Sequence, residues 1–424
     1  MCKKSFKIHI LGQLPSTLAE GLATPPAMPL LPPHRVSPRI DRLEPFLAME
    51  IMERAFELEA AGNSVIHLEI GEPDFPPPPV VVEACERALR AGETHYTDSR
   101  GLMALREAIA GDYARRFGVA PDPARILVTA GTSPAMLMTF SLLVEPGDEV
   151  ILATPHYPCY PNFIRYCGGQ PVLVQTRAED GFALDPAAVR AALTPRTRAI
   201  VVASPANPTG AIQGRETLEA LAGLGPPLIS DEIYDGLVYD GARTTSVAEI
   251  SEDAFVLDGF SKRYAMTGFR LGWVLAPEWS LRSLQTMQQN FFISANPFVQ
   301  HAGIAALEAA APAAEDLRRL CEAGRSKLVR GLRDLGFGLP RAPEGAFYLL
   351  ADARRFGADS RALASALLER AHVGTTPGID FGEAGEGMLR FCYAVSESAL
   401  DEALARLSEI LPALESGAMA PGDP

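Results

Sequence analysis

Metal-binding motifs are missing from this sequence. Its six cysteines, Cys2, Cys85, Cys159, Cys167, Cys321 and Cys392, form no C-x-x-C pair, and none stands with histidine at zinc spacing. The seven histidines are scattered, so neither a structural nor a catalytic metal is expected. Free thiols in a reducing cytoplasm are the expectation. No apolar run nears the ~18 residues of a membrane helix. Positive charge is scarce: 38 Lys and Arg stand against 52 Asp and Glu, a formal net charge of −14. That disfavours a general nucleic-acid surface. It leaves room for one local basic pocket that takes a phosphate.

What is present is an ordinary globular balance, 47% hydrophobic and 21% charged residues over 424 positions. That length suggests two or three domains. Residues 1–34 begin basic, carry a short apolar run broken at Gly12 and Gln13, and turn proline-rich. They make a poor secretory signal and read as a disordered extension outside the fold. Residues 35–75 read as an N-terminal arm and part of a small domain, with one helix from Ser37 that ends near Gly62 and, in "VIHLEIGEPDF", a strand running into a turn. Residues 76–311 read as a large domain and 312–424 as a smaller C-terminal α+β unit.

In the large domain, short apolar runs bounded by Gly, Pro or Asp alternate with helical patterns. "ARILVTAG", "DEVILATP", "PVLVQT", "AIVVASP", "PLISDEIY", "AFVLDGF" and "LGWVLAP" are the runs. Strands apolar on both faces predict a mostly parallel seven-stranded sheet covered by helices. "GAFYLLAD" and "GMLRFCYA", separated by the helix "SRALASALLERAH", supply the smaller unit.

Ligands of such sheets bind beyond the carboxyl ends of the strands, so the residues there are the candidates. Gly131, Thr132 and Ser133 open a helix after a strand, where free N–H groups suit an anion. A plain Ser/Thr cap explains that stretch about as well. Asn207 lies in the turn-forming "NPTG". Asp231 ends an apolar strand with Tyr234 close behind; a buried acid there is paired, protonated or functional. Lys262 follows another strand, flanked by Ser261 and by Arg270. A lysine in a partly apolar site has a lowered pKa and attacks aldehydes, and arginine can hold a phosphate bidentately. An amine that traps carbonyls, a phosphate cradle, an isolated acid and a phenol together suit pyridoxal 5′-phosphate.

Here the sequence resembles a family. "GEPDF", "HYTDSRGLMALREAIA", "TAGTSPAM", "NPTG", "SDEIY", "SKRYAMTGFRLG" and "MLRFCYA" occur in order over residues 35–415. They look like the signature of the fold-type I, class I/II pyridoxal-phosphate-dependent aminotransferases. The resemblance implies transfer of an amino group from an α-amino acid to a 2-oxo acid by ping-pong kinetics, with Lys262 holding the cofactor as an internal aldimine. It implies that Asp231 pairs with the pyridine nitrogen and that Asn207 and Tyr234 hydrogen-bond the phenolic oxygen. Tyr157 stacks on the ring; Gly131, Thr132, Ser133, Ser261 and Arg270 hold the phosphate. Arg390 takes the substrate α-carboxylate, with a backbone contact from Gly71. Tyr96 matches a tyrosine that reaches the phosphate from a neighbouring subunit, which implies a homodimer with shared sites.

Two departures stand out. Ile379-Asp380 occupies the place of a small-residue pair near the substrate pocket, and no second arginine for a distal carboxylate is evident. Related sequences of this fold carry out β-elimination, so a C–S lyase is the alternative activity. A regulator of the same fold would carry a helix-turn-helix, and residues 1–34 are too short to supply one.

Overall fold

The protein was studied as a computed structural model, which describes residues 36–416; the expected N-terminal extension lies outside them. Twelve strands occur among these residues. They are β1 (Ile66–His67), β2 (Ile126–Thr129), β3 (Glu149–Thr154), β4 (Gln170–Gln175), β5 (Thr197–Ala203) and β6 (Leu228–Asp231), followed by β7 (Phe255–Gly259), β8 (Gly272–Leu275), β9 (Tyr348–Asp352), β10 (Val373–Gly374), β11 (Thr376–Pro377) and β12 (Met388–Cys392). Seven of them form one sheet in the order β2-β8-β7-β6-β5-β3-β4. Only β8 runs antiparallel to its neighbours. The predicted seven-stranded, mostly parallel sheet is therefore present, and each of its strands falls on one of the seven apolar runs, β4 and β5 starting one and two residues before theirs.

Alternation along the strands shows why both faces are covered. Ile200, Val202, Leu228 and Val256 belong to one apolar cluster. Their neighbours Val201, Ile229, Phe255 and Leu257 belong to another, on the opposite face. Successive side chains of a strand point to opposite faces, and each large apolar side chain so buried contributes about 1.5–3 kcal/mol. Helices fill both sides, among them α2 (Pro79–Arg90), α3 (Met103–Phe117), α4 (Thr132–Leu143) and α5 (Cys159–Tyr166).

A third cluster unites the chain's two ends. Ile51, Ala55, Leu58 and Ile66 pack with Leu328, Leu363 and Leu407. Within it β1 pairs in parallel with β10, and β11, β12 and β9 form an antiparallel sheet.

Two local expectations need correction. The helix expected from Ser37 to near Gly62 is α1, Leu47–Ala60 only. Pro45 disfavours helical geometry at the residue before it, so 36–46 is turn and irregular chain. The strand expected at the start of "VIHLEIGEPDF" forms a ladder only at Ile66–His67. Beyond it Leu68 still donates to the Gly374 carbonyl and accepts from the Cys392 N–H, so this segment is tied to the smaller unit by single hydrogen bonds.

Candidate active site

A cavity of about 330 Å³ opens at the carboxyl ends of the parallel strands, where the large sheet meets α1 and the smaller unit. It gathers Gly71, Thr132, Ser133, Tyr157, Asn207 and Asp231, and also Tyr234, Ser261, Lys262, Arg270 and Arg390. These residues are spread over 320 positions of sequence, and the strand ends collect them.

Gly131 is the residue before α4, with φ +90, a conformation only glycine adopts freely. A Cβ there would lie 2.6 Å from an Arg270 guanidinium nitrogen. Arg270 has φ +53, which turns its side chain back beside the helix start, and it donates to the Thr267 carbonyl at 3.0 Å. A guanidinium next to the unpaired N–H groups of a helix N-terminus, with the Thr132, Ser133 and Ser261 hydroxyls on the same cavity wall, makes an anion cradle.

Asp231 is buried at the end of β6. Its Oδ2 accepts the Tyr160 hydroxyl at 2.6 Å and its Oδ1 accepts the Ile233 N–H at 3.2 Å. Burial raises its pKa, against the pull of Tyr160, Ile233 and the Lys262 charge. The carboxylate thus has a hydroxyl and an amide as partners but no arginine or histidine in an ion pair. Lys262 follows β7, and its Nζ donates to the Gly71 carbonyl. Burial brings the amine down to about 8, so a neutral, nucleophilic fraction exists near neutrality.

Arg390, on β12, is 1% exposed. One terminal nitrogen donates to Asn207 Oδ1 at 3.0 Å; the other donates to the Glu69 carbonyl and to Thr376 Oγ1. Its plane lies over the Tyr348 ring at 4.3 Å and near Phe381 at 5.1 Å. Every one of these partners is neutral, and Nε has none. A buried guanidinium held by dipoles alone is set for an incoming anion, because an uncompensated buried charge is costly.

The remaining positions are three tyrosines. Tyr234 donates to, or accepts from, Tyr348 at 2.8 Å between hydroxyls. Tyr157 packs edge-on against Tyr160 and Phe46. Tyr96 is 85% exposed and is not part of the cavity wall in this chain. Tyr160, Tyr348, Thr376 and Glu69 were not singled out by the sequence reading. Tyr160 had a signal, since it stands three residues after Tyr157 at helical spacing. Thr376 faces Arg390 across the β11–β12 ladder, a pairing that only the folded register shows.

The cavity suits pyridoxal 5′-phosphate on its own chemistry. Buried Asp231, with only a hydroxyl and an amide hydrogen-bonded to it, suits a protonated ring nitrogen. The Gly131–Arg270 cradle suits a phosphate, and the Lys262 amine suits an aldehyde. Among the described residues no cluster of His, Cys, Asp and Glu could hold a metal ion, and no helix is long and apolar enough to cross a membrane.

Comparison with known proteins agrees. The family model for aminotransferase class I and II matches residues 63–407. A (5-formylfuran-3-yl)methyl phosphate transaminase of Methanocaldococcus jannaschii is 37% identical over 379 residues, 89% of this chain and 99% of that one. An aspartate/prephenate aminotransferase of Thermus thermophilus is 38% identical over 383 residues, 89% and 98% of the two chains. The solved aspartate aminotransferase from Thermus thermophilus with maleate has a TM-score of 0.85 at 37% identity, covering 89% of this chain and 100% of that one. The chain belongs to the class I and II aminotransferases, pyridoxal 5′-phosphate-dependent enzymes that move an amino group from an α-amino acid to a 2-oxo acid.

Proposed function

We propose that this chain transaminates amino acids with large, neutral, apolar or aromatic side chains, in a homodimer with shared sites. Bound pyridoxal 5′-phosphate supplies an aldehyde that takes up the amino group and a ring that accepts the electron pair released at Cα. The chain's own residues do the rest. Lys262 would hold the cofactor through its Nζ, and the same amine would carry the Cα proton. Asp231, steadied by Tyr160, keeps the ring nitrogen protonated. Gly131, Thr132, Ser133, Ser261 and Arg270 grip the phosphate. Asn207, whose oxygen is engaged by Arg390, and Tyr234 would hold the phenolic oxygen. Tyr157 presents its ring to the cofactor. Arg390 and the backbone of Gly71 orient the α-carboxylate. Exposed Tyr96 reaches the phosphate in the neighbouring subunit.

One observation carries the substrate class. The cations of the cavity wall are Lys262, Arg270 and Arg390, and each is committed by this scheme. The wall beside them is built from Phe46, Ala48, Met49, Met52 and Ile70. A distal carboxylate placed against that wall would be desolvated without a partner from this chain, at a cost of several kcal/mol. With amino donor alone, conversion of the cofactor is followed by its absorbance. Phenylalanine or methionine is expected to exceed aspartate by about 10²-fold in second-order rate constant. Faster conversion by aspartate would refute the substrate assignment. Steady release of ammonia and 2-oxo acid without an acceptor would mark a lyase.

A further inference from the structure

Asp380 lies 333 residues from Leu47 in sequence and touches it in space. Its Oδ1 accepts the Leu47 N–H at 2.9 Å and its Oδ2 accepts the Ala48 N–H at 3.2 Å. Leu47 and Ala48 are the first two residues of α1, and Phe46 before them provides no side-chain cap. A helix start leaves N–H groups without partners, and a carboxylate complements its positive end. Neither Pro45 nor Phe46 has a side-chain oxygen, so the cap comes from elsewhere in the chain. Asp380 is 9% exposed. Burial lifts its pKa to about 6, opposed by the two N–H groups and the Arg390 charge, so it is ionised at neutral pH.

The turn that delivers Asp380 is short and braced. It spans Gly378–Phe381. Ile379 donates its N–H to Ser360 Oγ at 3.1 Å, and the Phe381 carbonyl accepts the His156 N–H at 3.1 Å. A Cβ on Gly378 would lie 2.0 Å from the Gly385 carbonyl oxygen, so the turn is packed on backbone. Two neighbouring residues of this turn therefore touch two different parts of the wall from behind. Phe381 lies beside Arg390, and Asp380 holds the end of α1 that contributes Phe46, Ala48, Met49 and Met52 to the wall.

We propose that Asp380 is a positioning residue for substrate selection: by capping α1 it sets the apolar wall at the depth that accepts a large neutral side chain bound through Arg390. The inference rests on the apolar-donor reading above. It adds that side-chain choice is set through a carboxyl group that is not among the residues of the cavity wall. The same turn links wall and arginine, so their spacing is fixed by the backbone of Gly378–Phe381.

The test uses wild-type, Asp380→Ala and Asp380→Asn holoenzymes, with amino donor alone and the cofactor absorbance as readout. Phenylalanine reaches the α1 wall, and alanine is too short to do so. For Asp380→Ala the ratio of second-order rate constants, phenylalanine over alanine, is expected to fall about tenfold, chiefly through weaker phenylalanine binding. Asp380→Asn, which keeps an acceptor oxygen and the shape, is expected to recover part of that ratio, and it carries the test alone if the alanine variant fails to fold. An unchanged ratio, with both donors slowed alike, would overturn the inference, because a merely structural role lowers both together. A wild-type preference for aspartate would overturn this inference and the apolar-donor reading together. Failure of the inference alone appears only in the variants.

Discussion

Replacing Lys262 with alanine is expected to lower transamination by at least about 10⁴-fold. A positioned proton carrier is worth about 10²–10⁴-fold by itself, and this lysine also anchors the cofactor. Its environment prepares it for both tasks. The amine is brought down to about 8 by burial, it rests on the Gly71 carbonyl, and aromatic rings of Tyr234 and Phe347 lie 6.0 and 5.9 Å away. No other lysine contributes to the cavity wall to substitute for it. The variant should remain folded, since truncation of a side chain that faces a cavity leaves no packed void. Steady-state turnover with a good donor is the measurement. Near wild-type activity would remove Lys262 from the chemistry.

The second large effect concerns Asp231. Asp231→Ala is expected to cost about 3–5 kcal/mol in cofactor retention and turnover combined, or roughly 10²–10⁴-fold. The reason is electrostatic: the carboxylate sits in a buried place that raises its pKa, and only a cation opposite it justifies keeping it charged. Asp231→Asn separates charge from shape. It can still accept the Tyr160 hydroxyl, so a fold-neutral loss of activity in this variant isolates the charge. Equilibrium dialysis of the cofactor and turnover together check the prediction. Activity within a few-fold of wild type in both variants would contradict it.

The large sheet was legible because its strands are buried on both faces. In runs such as "AFVLDGF" and "AIVVASP" every residue has a covered face to occupy, so the apolar pattern is continuous and its ends are marked by Gly, Pro or Asp. The cavity residues were legible for a related reason: strand ends are where such folds place ligands, and unusual polar residues stood there. What was not legible depends on distant partners. The start of α1 at Leu47 is capped by Asp380, and no local cap announces it. Tyr348 read as one more strand residue of "GAFYLLAD", although its hydroxyl meets Tyr234 and its ring lies under Arg390. Ile379-Asp380 was visible only as a departure from the family pattern, and its part in holding α1 required the fold.

The account rests on a bond between the cofactor aldehyde and one side-chain amine. Holoenzyme treated with borohydride and then digested gives the most direct test. The prediction is cofactor mass fixed on the peptide that contains Lys262 and on no other. Mass fixed at a different lysine, or none fixed by a protein that stays colourless with the cofactor, would contradict it.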